Sequence, residues 1–94
     1  MIIEREITFA GDSIDEVEKA VSKAKEFIIK KPEKKYYRYV YISLKDSDKV
    51  SHDISEDSRD IKTVLVALDK ALNMLKTIEN FERYYINVSI TNEW

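Results

Sequence analysis

The hydrophobic positions of this chain switch between a period of two and a helical period, and each switch marks an element. From Met1 to Ala10, Ile3, Ile7 and Phe9 share one parity while Glu4, Glu6 and Thr8 take the other, which predicts a strand with one face in a core. Arg5 falls on the apolar parity and is expected near the strand's end, where its head reaches water. Gly11-Asp12 breaks the alternation. Ser13 with Glu16 three residues on has the form of a capping box, and Ile14, Val17, Ala20, Val21, Ala24, Phe27 and Ile28 then trace one helical stripe. Lys30 and Lys31 suit the C-terminal end of that helix, and Pro32 stops it.

After Pro32-Glu33-Lys34-Lys35 the period of two returns in Tyr36-Tyr37-Arg38-Tyr39-Val40-Tyr41-Ile42-Ser43-Leu44. Val40, Ile42 and Leu44 fall on one face, and Tyr37, Tyr39, Tyr41 and Ser43 on the other. Asp46-Ser47-Asp48-Lys49 reads as a turn, and Val50, His52 and Ile54 alternate with Ser51 and Asp53 in a short third strand. Ser55-Glu56-Asp57-Ser58 offers N-cap residues for a second helix. Its stripe is Ile61, Val64, Leu65, Leu68, Ala71, Leu72, Leu75 and Ile78, with Asn80 expected as a left-handed C-cap. Tyr84, Ile86, Val88 and Ile90 alternate with Tyr85, Asn87, Ser89 and Thr91 in a last strand, before the tail Asn92-Glu93-Trp94. Trp94 shares the core parity of Ile90 and is expected to cap the core's end or stand as a free anchor.

The order strand–helix–strand–strand–helix–strand predicts an α+β two-layer sandwich of the ferredoxin-like, split β-α-β kind, with an antiparallel sheet and both helices on one face. Strands buried on both faces, as in a parallel doubly wound sheet, would read as continuous apolar runs instead. No repeat or linker interrupts the pattern, so residues 1–94 form a single domain. In the split β-α-β order the tyrosine strand lies at an edge of the sheet, with Arg38 and the flanking lysines as its only protection against pairing. The helix-free face then collects Tyr37, Tyr39, Tyr41 and Tyr85.

Composition narrows the chemistry. There is no cysteine, which removes disulfides, thiol catalysis and cysteine-ligated metals and agrees with a cytoplasmic setting. The one glycine leaves no phosphate-cradling loop. A net charge of −2 gives no global pull toward nucleic acid or anionic lipid. Charge begins at Glu4, too early for a signal peptide, and no apolar run approaches a membrane span, so no membrane contact is expected.

The tyrosine face is the main functional signal. Rings carrying hydroxyls anchor protein interfaces, which makes a protein partner or a second copy of the chain the first expectation. Lys34, Lys35 and Arg38 beside those rings also suit single-stranded nucleic acid, with bases stacked on tyrosine and phosphates neutralised by the cations. Glu4, Glu6 and Asp53 share the exposed parity and oppose that alternative. The acidic stretch 46–60 is the third candidate, as the centre of a metal-dependent hydrolase or nuclease. Asp46 and Asp48 open like a calcium loop. The resemblance ends where Val50 and Ile54 take ligand positions, Ser51 replaces the turn glycine and Asp57 replaces the bidentate glutamate. His52 is the only histidine, and no serine stands in a nucleophile-elbow context. The expectation is a non-enzymatic binding module without metal or cofactor. The Ile-, Lys-, Asn- and Tyr-rich composition fits a regulator or inhibitor from an AT-rich genome or mobile element.

Overall fold

In a computed structural model that describes residues 3–30 and 36–91, the elements are β1 (Ile3–Gly11), α1 (Ile14–Ile29), β2 (Tyr37–Asp46), β3 (Ser51–Ser58), α2 (Ile61–Leu75) and β4 (Phe81–Thr91). Lys31, Pro32, Lys34, Lys35 and Trp94 lie outside the described residues. The fold is α+β: a four-stranded antiparallel sheet and two helices. Among the described residues no helix is long and apolar enough to cross a membrane.

The strand order is β1-β4-β2-β3, which differs from the ferredoxin-like order. The tyrosine strand β2 is therefore interior, and the expectation that it forms an edge is corrected. The reason lies in what each strand must bury. Val40, Ile42 and Leu44 of β2 and Ile86, Val88 and Ile90 of β4 are all fully buried, so these two strands need neighbours on both sides. Ile42 sits between Ile86 and Ile54, and Val40 is paired with Val88. The outer positions go to β1, whose Ile7 and Phe9 are only partly buried, and to the acidic, serine-rich β3. Charged, polar strands tolerate an unpaired edge best. Both helices press their apolar stripes onto the one face formed by these residues, and a single core cluster joins α1, α2, β2 and β4.

Several local expectations change. Ser13 holds the N-cap position of α1 but its side chain makes no capping bond. The Glu16 carboxylate instead accepts from the Tyr84 hydroxyl, beside Gly11, where an added Cβ would lie 3.1 Å from Tyr84 Cε1 and press on that carboxylate. Ile14, placed on the buried stripe by periodicity, is 47% exposed. Strand β3 extends to Ser58, since it stays paired with β2 as far as Arg38. The residues expected to cap α2 thus belong to the sheet. Asp60 caps the helix, accepting from the Lys62 amide at 3.1 Å and the Thr63 hydroxyl at 3.0 Å. Helix α2 ends at Leu75, leaving Ile78 beyond it. Asn80 is left-handed as expected (φ 57°) but serves the loop before β4, where its carbonyl accepts from Ser47 N at 2.8 Å.

Arg38 is the largest fully buried side chain. Its Nε donates to the Ile28 carbonyl at 2.9 Å and its Nη1 to the Tyr36 carbonyl at 3.0 Å. Ile28 lies in the last turn of α1, where carbonyls lack intrahelical donors and the helix dipole favours a cation. Arg38 therefore fastens the end of α1 to the start of β2. Its parity faces the core, but its expected role as an exposed cation beside the tyrosines is corrected, because the guanidinium is fully buried.

Candidate functional site

The helix-free face is built by strand parity and register. Its rows run across the four strands as Glu6–Ser89–Tyr39–Asp57, Thr8–Asn87–Tyr41–Ser55 and Ala10–Tyr85–Ser43–Asp53. Lys45 and Arg83 pair at the next level. The interior position of β2 puts Tyr39 and Tyr41 in the middle of this surface beside Tyr85 of β4. Tyr39 is 40% and Tyr85 38% exposed, while Tyr37 and Tyr41 are half-buried. The Tyr41 and Tyr85 rings lie 6.0 Å apart at 58°, a tilted aromatic contact.

Two aspartates of β3 hold the half-buried rings. The Asp53 carboxylate accepts from Ser51 Oγ, which in turn accepts from the Ser43 hydroxyl at 2.9 Å, and the Tyr41 hydroxyl donates to the same carboxylate. The Tyr37 hydroxyl donates to Asp57, and the Arg59 guanidinium lies 5.9 Å from the Tyr37 ring centre. Each tyrosine reaches diagonally across the strand pair, since Asp53 is opposite Ser43 and Asp57 is opposite Tyr39. Asp53 and Asp57, on one parity of β3, are therefore the acceptors that orient Tyr41 and Tyr37 of β2. Tyr39 and Tyr85 are left as the exposed rings of the face. On β1 and β4, Asn87 Nδ2 donates to Thr8 Oγ1 at 3.0 Å.

Charge is distributed unevenly. Glu6 and Asp57 flank the Tyr39 row, and Lys45 and Arg83 mark the opposite end. Near the basic end a shallow depression of about 370 Å³ is lined by Ala10, Tyr41, Ser43, Lys45, Arg83, Tyr84 and Tyr85. It offers aromatic walls, hydroxyls and a cationic rim.

Burial raises the Tyr37 pKa above the ordinary tyrosine value, with the Asp57 charge and hydrogen bond adding to it. Asp53 is lowered first by the Ser51 hydrogen bond and next by the neighbouring Ser43 hydroxyl, against a smaller opposing effect of burial. In Asp46 burial, which raises, is the largest single effect, but the Val50 amide, His52 and the Asp48 amide together outweigh it and the pKa falls. Folding therefore favours the ionised form of both aspartates. Their contribution is present above the ordinary carboxylate range and is lost as pH falls through their lowered pKa values. Urea midpoints should decrease from pH ~4 downward, and Asp53→Asn should flatten part of that decrease. An unchanged pH profile in Asp53→Asn would contradict the assignment.

The acidic stretch 46–60 is divided among local duties. Asp46 Oδ1 accepts from the Asp48 amide at 2.9 Å and the Val50 amide at 3.0 Å, closing a turn in which Lys49 is left-handed (φ 69°). Its Oδ2 lies 3.4 Å from His52 Nε2. Asp53 and Asp57 serve tyrosines, and Asp60 caps α2. Among the described residues no group of three or more His, Asp or Glu side chains is arranged to hold a metal ion.

The structure brings Tyr37, Tyr39, Tyr41 and Tyr85 onto one surface, as strand parity predicts. It sends Arg38 to the core, and Lys34 and Lys35 lie outside the described residues. Lys45, Arg83 and Asp57 are additions to the face. Lys45 and Arg83 have the outward parity of their strands. Asp57 becomes legible only once β3 is extended past Ile54. No protein-family profile matches this chain, and no curated protein matches its sequence, so the reading of this face rests on its own geometry.

Proposed function

We propose that this chain is a small, non-enzymatic protein-binding module, a cytoplasmic regulator or inhibitor, that engages a partner protein through the helix-free face of its sheet. The observation that carries this reading is the exposure of Tyr39 and Tyr85 on the two interior strands, among rings already oriented by Asp53 and Asp57. The held rings of Tyr37 and Tyr41 give the exposed pair fixed surroundings, and an exposed tyrosine brings large apolar area with a hydrogen-bonding tip. The acidic and basic ends of the face set the direction in which a partner docks and speed its approach. In fold terms the chain is a split β-α-β sandwich variant in which the second and fourth strands have moved inside.

Single-stranded nucleic acid is the second reading, favoured by one observation: the rings stand on interior strands, with Lys45 and Arg83 beside Tyr85. Base stacking on such rings is tolerant of sequence. Glu6, Asp53 and Asp57 on the same surface repel a phosphate chain, which supports protein contact over nucleic acid.

A pull-down from the source organism's lysate, with and without nuclease, separates the two. Protein contact predicts a partner that survives nuclease and is lost with Tyr37→Ala/Tyr39→Ala, or a solution mass that changes in that variant when the partner is a second copy. Nucleic-acid binding predicts retention on single-stranded oligonucleotides that weakens steeply with salt. Retention of the partner by a folded double variant would refute both.

A further inference from the structure

Among the described residues the sheet ends at β3, which pairs with β2 alone and turns its other edge outward. Such an edge presents a ladder of backbone N–H and C=O groups to any extended chain. Alongside it runs a groove of about 380 Å³ between β3 and α2, lined by Ile54 and Glu56 on the strand side and by Lys62, Val66, Ala67 and Lys70 on the helix side. Lys62, Val66 and Lys70 are four residues apart and form one exposed line on α2, with Val66 49% exposed at its centre. A strand laid against β3 would turn alternate side chains into this groove and the others toward the tyrosine face.

The two sides of that edge carry opposite charge. The helix side holds Lys62 and Lys70 around an apolar centre, with Glu56 as its one acid. The other side holds Asp53 and Asp57. A second copy of β3 fits this edge poorly, because its own Asp53, Glu56 and Asp57 would meet the same three acids, and like charges opposed across a strand pair are destabilising.

We infer that the β3 edge and the β3–α2 groove form a strand-addition site for an extended segment of a partner protein. That segment carries acidic or apolar side chains on the parity facing α2 and basic side chains on the other parity. Main-chain hydrogen bonds to β3 supply the general affinity, and the alternation of charge supplies register and selectivity. The site borders the helix-free face through Asp53 and Asp57, but its main-chain ladder and groove do not include the Tyr39 and Tyr85 rings.

The test is an NMR titration of the isotopically labelled full chain with a capped peptide, Lys-Glu-Lys-Val-Lys-Glu-Lys. The control, Lys-Lys-Glu-Val-Glu-Lys-Lys, has the same composition without the alternation. The expected result is a saturable shift along Ser51–Ser58 and along residues 62–70, slowed exchange of every second β3 amide, and binding about tenfold or more tighter than the control. Lys62→Glu/Lys70→Glu, both at exposed positions, should weaken the alternating peptide by about tenfold with an unchanged melting curve. Tyr39→Ala/Tyr85→Ala should bind the peptide normally, which separates this site from the tyrosine face. Absence of shifts at millimolar peptide, equal binding of the control, or shifts confined to the tyrosine face would each overturn the inference. So would self-pairing through β3 in the absence of peptide.

Discussion

Arg38→Ala is expected to cost ~3–5 kcal/mol of folding stability, the range for breaking a buried charged interaction. Two carbonyls would lose their donor, that of Ile28 in a place closed to water and that of Tyr36 in a partly buried one. The cavity left by the stem adds to that loss. For a domain of this size such a cost lowers the melting temperature by roughly 15 °C or more. Arg38→Lys keeps the charge but cannot fork to two acceptors, so it should fall between wild type and alanine. Thermal melts followed by circular dichroism read both. A wild-type melting temperature for Arg38→Ala would show that the guanidinium does not fasten α1 to β2. The same residue separates Tyr37 from Tyr39 in the chain, so the anchor also fixes the start of the strand that presents the rings.

The second large effect is expected in binding. Tyr39→Ala/Tyr85→Ala removes the two exposed rings, and well-placed interface tyrosines contribute about 2 kcal/mol each when truncated. Once the partner is in hand, the double variant should bind it roughly 100-fold or more weakly. Stability should change little, by about 1 kcal/mol or less, because neither ring is in the core and cross-strand pairs on an exposed face contribute modestly. Tyr84→Ala is the structural contrast: that ring is buried on the core face beside Glu16 and Gly11, and its loss acts on folding. Calorimetric titration together with thermal melts distinguishes the two. A double variant with wild-type affinity would remove the tyrosine face from the interface.

Much of this arrangement was legible in the alternation of side chains. Val40, Ile42 and Leu44 inward, and Tyr37, Tyr39, Tyr41 and Tyr85 outward, follow from a period of two and hold in the structure. Both helices follow from their stripes. What parity does not contain is the neighbour of each strand. The order β1-β4-β2-β3 depends on which strands have the most to bury, a comparison among distant segments rather than a local pattern. Arg38 illustrates the same gap. Its parity pointed to the core, but only the proximity of the Ile28 carbonyl explains why a guanidinium is stable there. The extent of β3 was obscured because Ser, Asp and Glu serve equally as cap residues and as the polar side of an edge strand. The acceptor row of Asp53 and Asp57 was hidden with it.

Site-directed photo-crosslinking tests the central claim, that the helix-free face is the contact surface, most directly. A benzophenone side chain would be placed at Tyr39 in one version of the protein and at Ser22, an exposed position on α1, in another. Each would be irradiated in lysate of the source organism with and without nuclease. The predicted result is a discrete protein adduct from position 39, insensitive to nuclease and absent from position 22. Adducts of equal yield from both positions, or adducts at position 39 consisting only of nucleic acid, would contradict it.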